Sequence, residues 1–427
     1  MTKPRMFEKP SGMRDYLPEA VRRLRVVEGE ALRTMDSWGY TQIITPTMEY
    51  YDTVGAASST SDHKLFKLLN QRGTTMVLRS DMTAPIARVV GSLLGKEPFP
   101  IRLSYHANVF RSMEEEAGRE AEFYQTGAEM IGDGSPDADA EVIALSIACL
   151  EAAGIERFKV ALGHHGFLQG LLECALPNQE VVQTQLKLRL VQRDVVGYRE
   201  LVNSLSIEQE YRNYLEKVLH LRGGREVLET ARGIADVSAI QQSIRHLEQV
   251  WNVLMAYGVE EHIVLDLTML GDFSYYTGTI FEGYAADTGF PVMSGGRYDN
   301  LLQQFGRPAP ATGFALQTTR IVDALSGSCG AADKGEQVMT IRYDELHRQE
   351  AFQEAARLRK EGKNVVTQLI GTVCKDQRDG VGEAVVHSNA CGKRGIEMLA
   401  FTNQLDDEGG TTYAGVAKGC NAERTYL

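Results

Sequence analysis

The stretch GDFSYYTGTIFE, residues 271–282, places two adjacent tyrosines, Tyr275 and Tyr276, ahead of Gly278, an apolar Ile280–Phe281 pair and Glu282. Neighbouring side chains on a strand point to opposite faces, so one tyrosine can enter a core while the other faces a cavity. Packing is the ordinary role of tyrosine in a sheet, and the pair alone does not separate a pocket from a core. The stretch contains no Lys, Arg or His. It offers hydroxyls and carboxylates to hold a ligand, and no cation to stabilise charge developing in a reaction. Glu129 lies on the mostly apolar run AEFYQTGAEMIG. A buried carboxylate is rare unless paired, so Glu129 is either half of a structural ion pair or a ligand group. Asp81, in LRSDMTAPIAR, can cap a helix beginning near Ala84 or face a ligand, and its two oxygens allow both. Arg111 and Arg320 are either structural salt bridges or the seat of an anionic effector. His164 and His165 are adjacent on an expected strand and face opposite ways without a carboxylate cluster, which points to a surface or core role and not to a metal. SGGRYDNLLQQFG has glycines but lacks the lysine and the strand–loop–helix order of a phosphate loop.

The elements that must position these residues follow from periodicity. The chain of 427 residues is long enough for two or three domains, and 43% hydrophobic with 24% charged residues is ordinary for a soluble protein. Residues 18–38 repeat Val21, Leu24, Val27, Leu32 and Met35 at near-helical spacing. YTQIITPTMEY reads as a strand limited by Pro46, and TTMVLRSDMTAPIARVVGSLL as strand, turn and helix. PIRLSYHANVFRS and AEFYQTGAEMIG read as strands joined by a solvated loop, MEEEAGRE, at 113–120. A helix at 138–153, a strand at RFKVALGHH, and a mainly helical insertion at about 166–250 come next. HIVLDLTML, YYTGTIFEGYA, VMSGGRYD and ATGFALQTTRIVDAL close an α+β domain spanning 1–325, an antiparallel sheet flanked by helices. Residues 326–336 form the expected linker, and 337–427 a small α/β domain of strand VMTIRYD, helix LHRQEAFQEAARLRKEG and strand NVVTQLI.

Composition excludes several classes. A formal net charge of −12, with no Lys/Arg-rich run, weighs against a nucleic-acid partner. No apolar run approaches the ~20 residues of a membrane span, and the N-terminus has no secretory apolar core. The six cysteines are scattered without a C-x-x-C pair. They read as reduced thiols of a cytoplasmic protein, with no zinc site and no cofactor implied.

Six blocks carry a resemblance in order and spacing: KPSGMRDYLP, WGYTQIITPTMEYYD, LRSDMTAPIAR, VFRSMEEEAGREAEFYQTGAEMIG, YYTGTIFEGY and SGGRYDNLLQQFG. Together, over roughly residues 5–325, they resemble the catalytic domain of class II histidyl-tRNA synthetases. Asp81-Met82-Thr83 stands where those synthetases usually have Glu-Gly-Thr. That string is similar to a paralogous family, the regulatory subunits of ATP phosphoribosyltransferase, which opens histidine biosynthesis. The resemblance implies a class II synthetase-like sheet and a pocket for L-histidine. Asp81, Thr83 and Gln125 would hold the amino end, Glu129 with Tyr275 or Tyr276 would read the imidazole, and Gly295 and Gly296 would let the backbone approach the ligand. QEAARLRKEGKNVVTQL resembles the start of the synthetase anticodon-binding domain, whereas nothing from residue 371 onward matches.

The resemblance also exposes departures from adenylation chemistry. Arg111 is present, but the Glu expected two residues on is Met113. Arg320 is present, but the Gly-Leu-Glu before it is Gln317-Thr318-Thr319, and the synthetases' Arg-Gly-Leu-Asp is Gly271-Asp272-Phe273-Ser274. Losing one preorganised charge stabiliser costs about 10²–10³ in rate. The implied protein has no catalytic residues of its own. It is a feedback-regulatory subunit that binds histidine, joins a short-form catalytic subunit of ATP phosphoribosyltransferase in a hetero-oligomer, and dimerises around Tyr40–Glu49. An active histidyl-tRNA synthetase and a stand-alone sensor are the alternatives.

Overall fold

A computed structural model of the chain describes residues 7–58, 60–112, 120–234, 237–270, 276–286, 288–327, 338–343, 345–369, 398–400 and 414–417. The chain divides into two units, Met1–Cys329 and Gly330–Leu427.

The first unit is built on nine strands: β1 (Thr41–Gln42), β2 (Ile101–Phe110), β3 (Glu122–Ile131), β4 (Phe158–His164), β5 (Arg222–Gly223), β6 (Ile263–Asp266), β7 (Thr279–Ala285), β8 (Met293–Arg297) and β9 (Ala311–Gln317). They form one sheet in the order β1-β2-β3-β9-β8-β7-β4-β6-β5. Two neighbour pairs, β1 with β2 and β4 with β6, are parallel, which corrects the expected wholly antiparallel sheet. The reason is connectivity. Parallel neighbours need a long crossover, and the helical insertion supplies one between β4 and β6. The central hairpin β2–β3 is paired along its whole length, Ile101 opposite Ile131 through Phe110 opposite Glu122; residues 113–119 of its connection lie outside the described residues.

YTQIITPTMEY is not one strand. Thr41–Gln42 joins the large sheet, while Met48–Tyr50 joins a three-stranded sheet with Lys67–Leu69 and Thr75–Leu78. Pro46, which has no N–H to give a ladder, falls in the break. YYTGTIFEGYA also starts late, with β7 beginning at Thr279. Tyr276 therefore precedes the strand and its direction is not set by strand alternation; Tyr275 lies outside the described residues, as do Gly271–Ser274 and Met113.

Helices α1 (Pro18–Ser37), α2 (Thr83–Ser92) and α3 (Pro136–Ala152) cover the sheet. In α1 the buried positions are Leu24, Val27, Ala31 and Met35, one stripe at helical spacing. Val21 is 38% exposed, one turn before the first buried position, Leu24, and Leu32 is only half-buried. Small Ala31 lets α1 and α3 approach closely, and the Cys149 thiol of α3 reaches the Ala31 carbonyl at 3.7 Å. Ser135 caps α3 by accepting the Ala138 N–H, with Pro136 in its first turn. The insertion consists of α4 (His165–Ala175), α5 (Glu180–Val191), α6 (Val195–Ser204), α7 (Gln209–Val218), α8 (Glu226–Arg232) and α9 (Ser238–Tyr257). The last ends on Gly258 at φ 73°, a left-handed stop that glycine adopts without strain. Helix α10 (Thr318–Gly327) follows β9 directly.

The second unit has parallel strands Val338–Tyr343 and Asn364–Leu369 around α11 (Arg348–Lys360). Two further strands, Met398–Ala400 and Ala414–Ala417, extend this sheet within the tract where the sequence offered no reading.

One buried polar hub ties the first unit together. The fully buried Asp139 carboxylate of α3 is ion-paired with Arg297 of β8 (Nη2–Oδ1 2.9 Å), and its Oδ2 accepts from Arg297 Nε at 3.1 Å, from His246 Nε2 of α9 at 2.8 Å and from the Thr279 hydroxyl of β7 at 2.8 Å. The His164 ring lies edge-on to His246 at 5.5 Å, and burial pushes its pKa down to about 3. His164 ends β4 and its Nδ1 accepts the Gly166 N–H, whereas His165 opens α4. The pair thus straddles a strand–helix junction and does not alternate on one strand. Removing one partner of a buried pair leaves a charge uncompensated. Asp139→Ala is accordingly expected to lower stability by about 3–5 kcal/mol, read from urea unfolding; an unchanged midpoint would contradict this account of the hub.

Candidate functional site

Glu129 lies two residues from the C-terminal end of β3, opposite Leu103 of β2 and Gly313 of β9, and is 1% exposed. Its Oε1 accepts from the Thr83 hydroxyl at 2.8 Å and its Oε2 from the Tyr298 hydroxyl. Burial, with a smaller contribution from the charge of Asp81, pushes its pKa up to about 8, against the two hydroxyl bonds that pull it down. The carboxylate fits because β9 has no side chain there: a Cβ on Gly313 would lie 1.7 Å from Oε2.

Asp81 precedes α2. Its Oδ1 accepts the Ala84 N–H at 3.0 Å, the capping role, while Oδ2 accepts from the Ser58 hydroxyl at 2.7 Å. Asp81, Thr83, Gln125, Glu129 and Tyr276 all line one cleft, open at its mouth. The structure thus gathers every described member of the histidine-binding set expected from the resemblance. Reasoning on the sequence missed Tyr298, the direct partner of Glu129, and Tyr105, which lines the same cleft and donates to the Phe314 carbonyl at 3.4 Å. Tyr298 follows the last residue of β8 and its N–H bonds across to Ala311 of β9, so its aim depends on how the strand ends and no local pattern announced it. Gly295 and Gly296 also line the cleft, with a further steric cause. A Cβ on Gly295 would meet the Phe281 ring at 2.3 Å, and one on Gly296 the Tyr276 ring at 2.8 Å. These glycines make room for neighbouring aromatic rings.

A second cleft shares Tyr276, Ser294 and Gly295 with the first, so the two adjoin. Arg111, Arg320 and Glu282 line it. Arg111 Nε donates to the Ser80 carbonyl at 2.9 Å, and its guanidinium lies 5.4 Å from the Phe123 ring centre. Arg320 donates to the Pro291 carbonyl at 2.8 Å and lies 5.4 Å from the Phe290 ring. Two guanidinium groups at one wall can receive an anion. The Gln317–Thr319 string has structural partners: Thr318 shares a hydrogen bond with Thr126 at 2.9 Å, and the Thr319 hydroxyl accepts the Tyr124 N–H at 3.3 Å. Among the described residues no group of three or more His, Cys, Asp or Glu is placed to hold a metal ion. Overpacking a well-filled interior costs about 1–3 kcal/mol. Gly313→Ala is expected to cost at least that and to displace Glu129, whereas Gly283→Ala, where the nearest atom to a Cβ is the flexible end of Met293 at 3.0 Å and the next are in ordinary contact, should cost less. Paired urea unfolding curves check the order, and equal costs would sink it.

Comparison with known proteins bears on both units. A family model described as "Histidyl-tRNA synthetase" matches residues 12–321, and one described as "Histidyl-tRNA synthetase HisZ, C-terminal domain" matches residues 340–376. The ATP phosphoribosyltransferase regulatory subunit of Halalkalibacterium halodurans is 43% identical over 93% of this chain and all of that protein. The one from Bacillus velezensis is 50% identical over 75% of this chain and 82% of its own length. A crystal structure described as an ATP phosphoribosyltransferase regulatory subunit/histidyl-tRNA synthetase from Bacillus halodurans superposes with a TM-score of 0.81 at 43% identity, covering 88% of this chain and 96% of that one. On this similarity, carried along nearly the full length of its relatives, the chain belongs to the family of ATP phosphoribosyltransferase regulatory subunits, built on the histidyl-tRNA synthetase fold.

Proposed function

We propose that the Glu129 cleft binds L-histidine, and that the chain, as the regulatory subunit of ATP phosphoribosyltransferase, conveys its occupancy to a short-form catalytic subunit. The observation that carries this reading is the buried Glu129 carboxyl held between the Thr83 and Tyr298 hydroxyls at the floor of a cleft. A histidine zwitterion needs an anion for its ammonium, a donor for its carboxylate and polar partners for its ring. Asp81, Thr83 and Gln125 serve the amino end. Glu129 and Tyr276 serve the ring, with Tyr275 as the further residue expected from the sequence. The ligand carboxylate points toward the adjoining cleft, where Arg111 and Arg320 supply positive charge for it or for an anionic effector.

The chain in this reading does not activate the amino acid. Met113 and Gly271–Ser274 replace groups the synthetases use on ATP, and the Thr318 and Thr319 hydroxyls are hydrogen-bonded to Thr126 and to the Tyr124 N–H. Histidine acts by binding two states of the assembly unequally; a coupling of about 1–3 kcal/mol, or 5–150-fold, is typical of such linkage. Two chains meet through the segment around Tyr40–Glu49, where Ile44 is 84% exposed, inside a cytoplasmic hetero-oligomer.

Calorimetric titration of the chain with L-histidine, alone and with the catalytic subunit, tests the reading. Saturable binding is expected, and silence in both arms overturns it. Glu129→Ala should weaken binding by about 30-fold or more, the scale of losing a buried hydrogen-bonded charge partner, while leaving activation of the partner in place. Histidine-dependent ATP–pyrophosphate exchange should be absent; its appearance in pure protein would make the chain a synthetase instead.

A further inference from the structure

The cleft has an unusual charge balance. Its described lining includes two carboxyl groups, Asp81 and Glu129, and no Lys, Arg or His. The hydrogen-bond partners of Glu129 are the Thr83 and Tyr298 hydroxyls. The titratable groups facing it are Asp81 ahead of α2, Tyr105 on β2, Tyr276 ahead of β7 and Tyr298 after β8. None of these brings a positive charge. A carboxylate this deeply buried without a cation is costly. A hydroxyl can donate or accept, so Thr83 and Tyr298 satisfy Glu129 equally well as an acid or as an anion. The site is built to hold either protonation state without rearrangement.

We propose that Glu129 keeps a proton in the empty cleft and gives it to the ring of the bound histidine, so that the amino acid is held as an imidazolium against a carboxylate. This inference rests on the reading of the cleft as a histidine site and deepens it. The Glu129 O–H bond breaks and an N–H bond forms on the ring nitrogen, whose lone pair takes the proton. Cleft and ligand together neither gain nor lose charge. The raised pKa of Glu129, about 8, agrees with an acid in the empty site at neutral pH, while a free imidazole, near 6.5, is mostly neutral there. The proton therefore comes from the protein and not from solvent. The cleft selects a ring that can accept it: an amino acid of the same shape whose ring is not basic, such as triazolylalanine, leaves the proton on Glu129 and forgoes the ion pair.

The sign of the pH dependence follows. Between about 6.5 and 8 the reactants already hold one proton between them, and affinity is flat. Above about 8 Glu129 has lost its proton and binding must draw one from solvent, so affinity falls up to tenfold per pH unit. Below about 6.5 the free ligand is already charged and binding must release a proton, so affinity falls again.

Ring-¹⁵N histidine bound to the full chain and observed by NMR at pH 7.5 tests the proposal directly. Two protonated ring nitrogens are expected in the complex; a neutral-ring spectrum overturns proton transfer while leaving the histidine site intact, and no bound signal at all overturns the site itself. Calorimetry in buffers of different ionisation heat provides a second readout. Expected proton exchange is near zero at pH 7.5 and approaches one taken up at pH 8.5; half a proton or more exchanged at pH 7.5 contradicts the shared proton. Glu129→Gln should return the bound ring to the neutral form, and triazolylalanine should bind at least tenfold more weakly than histidine to the unaltered chain. Equal binding of the two ligands would overturn the inference even if the variant fails to fold.

Discussion

Much of the first unit is arranged so that one carboxyl group, Glu129, can stand inside a sheet. An acid buried on an interior strand loses its water, and the surrounding elements replace that water with two hydroxyls. Thr83 comes from the start of α2 and Tyr298 from the end of β8. The third requirement is space, met by the missing side chain of Gly313 on the neighbouring strand. These contributions come from segments far apart in the chain, and the register of the central strands brings them together.

Asp139 plays a matching part where α3 meets the sheet. Where Glu129 is buried without a cation, Asp139 is buried with Arg297 and His246, and these partners hold its carboxyl below the usual range despite desolvation. Arg297 immediately precedes Tyr298. The hub therefore anchors the strand end that delivers the clamp on Glu129. It also joins α9 of the insertion to Thr279, the first residue of β7. Packing of the insertion and shape of the cleft thus share a set of hydrogen bonds, a contiguous physical link of the kind through which a bound ligand can bias a neighbouring element.

Two neighbouring clefts stand on a fold shared with the synthetases. A synthetase must bind an amino acid and a nucleotide side by side. Here the cleft around Glu129 is lined by Asp81, Thr83, Gln125 and three tyrosines, while the neighbouring one is lined by Arg111, Gln317 and Arg320, with Thr318 and Thr319 hydrogen-bonded to β3. Recognition of a small zwitterion needs few groups at fixed positions. Catalysis needs further charges aimed at a transition state, and a fold can keep the first while shedding the second.

The sequence by itself determined the α+β class, the order of elements and most of the candidate pocket. Long periodic segments such as α1, β2 and β3 announce themselves through local spacing, and Asp81, Thr83, Gln125 and Glu129 stand in blocks whose order is a property of the chain. Tertiary structure decided the rest. Parallel pairing of β4 with β6 depends on what the insertion does between them, and the division of YTQIITPTMEY between two sheets depends on partners remote in sequence. Tyr298 as the clamp on Glu129, Gly313 as the space beside it and Asp139 as the hub are equally non-local. Each is defined by a neighbour scores of residues away, and a side chain's protonation and partners follow from which surfaces fold against it, which local pattern does not encode.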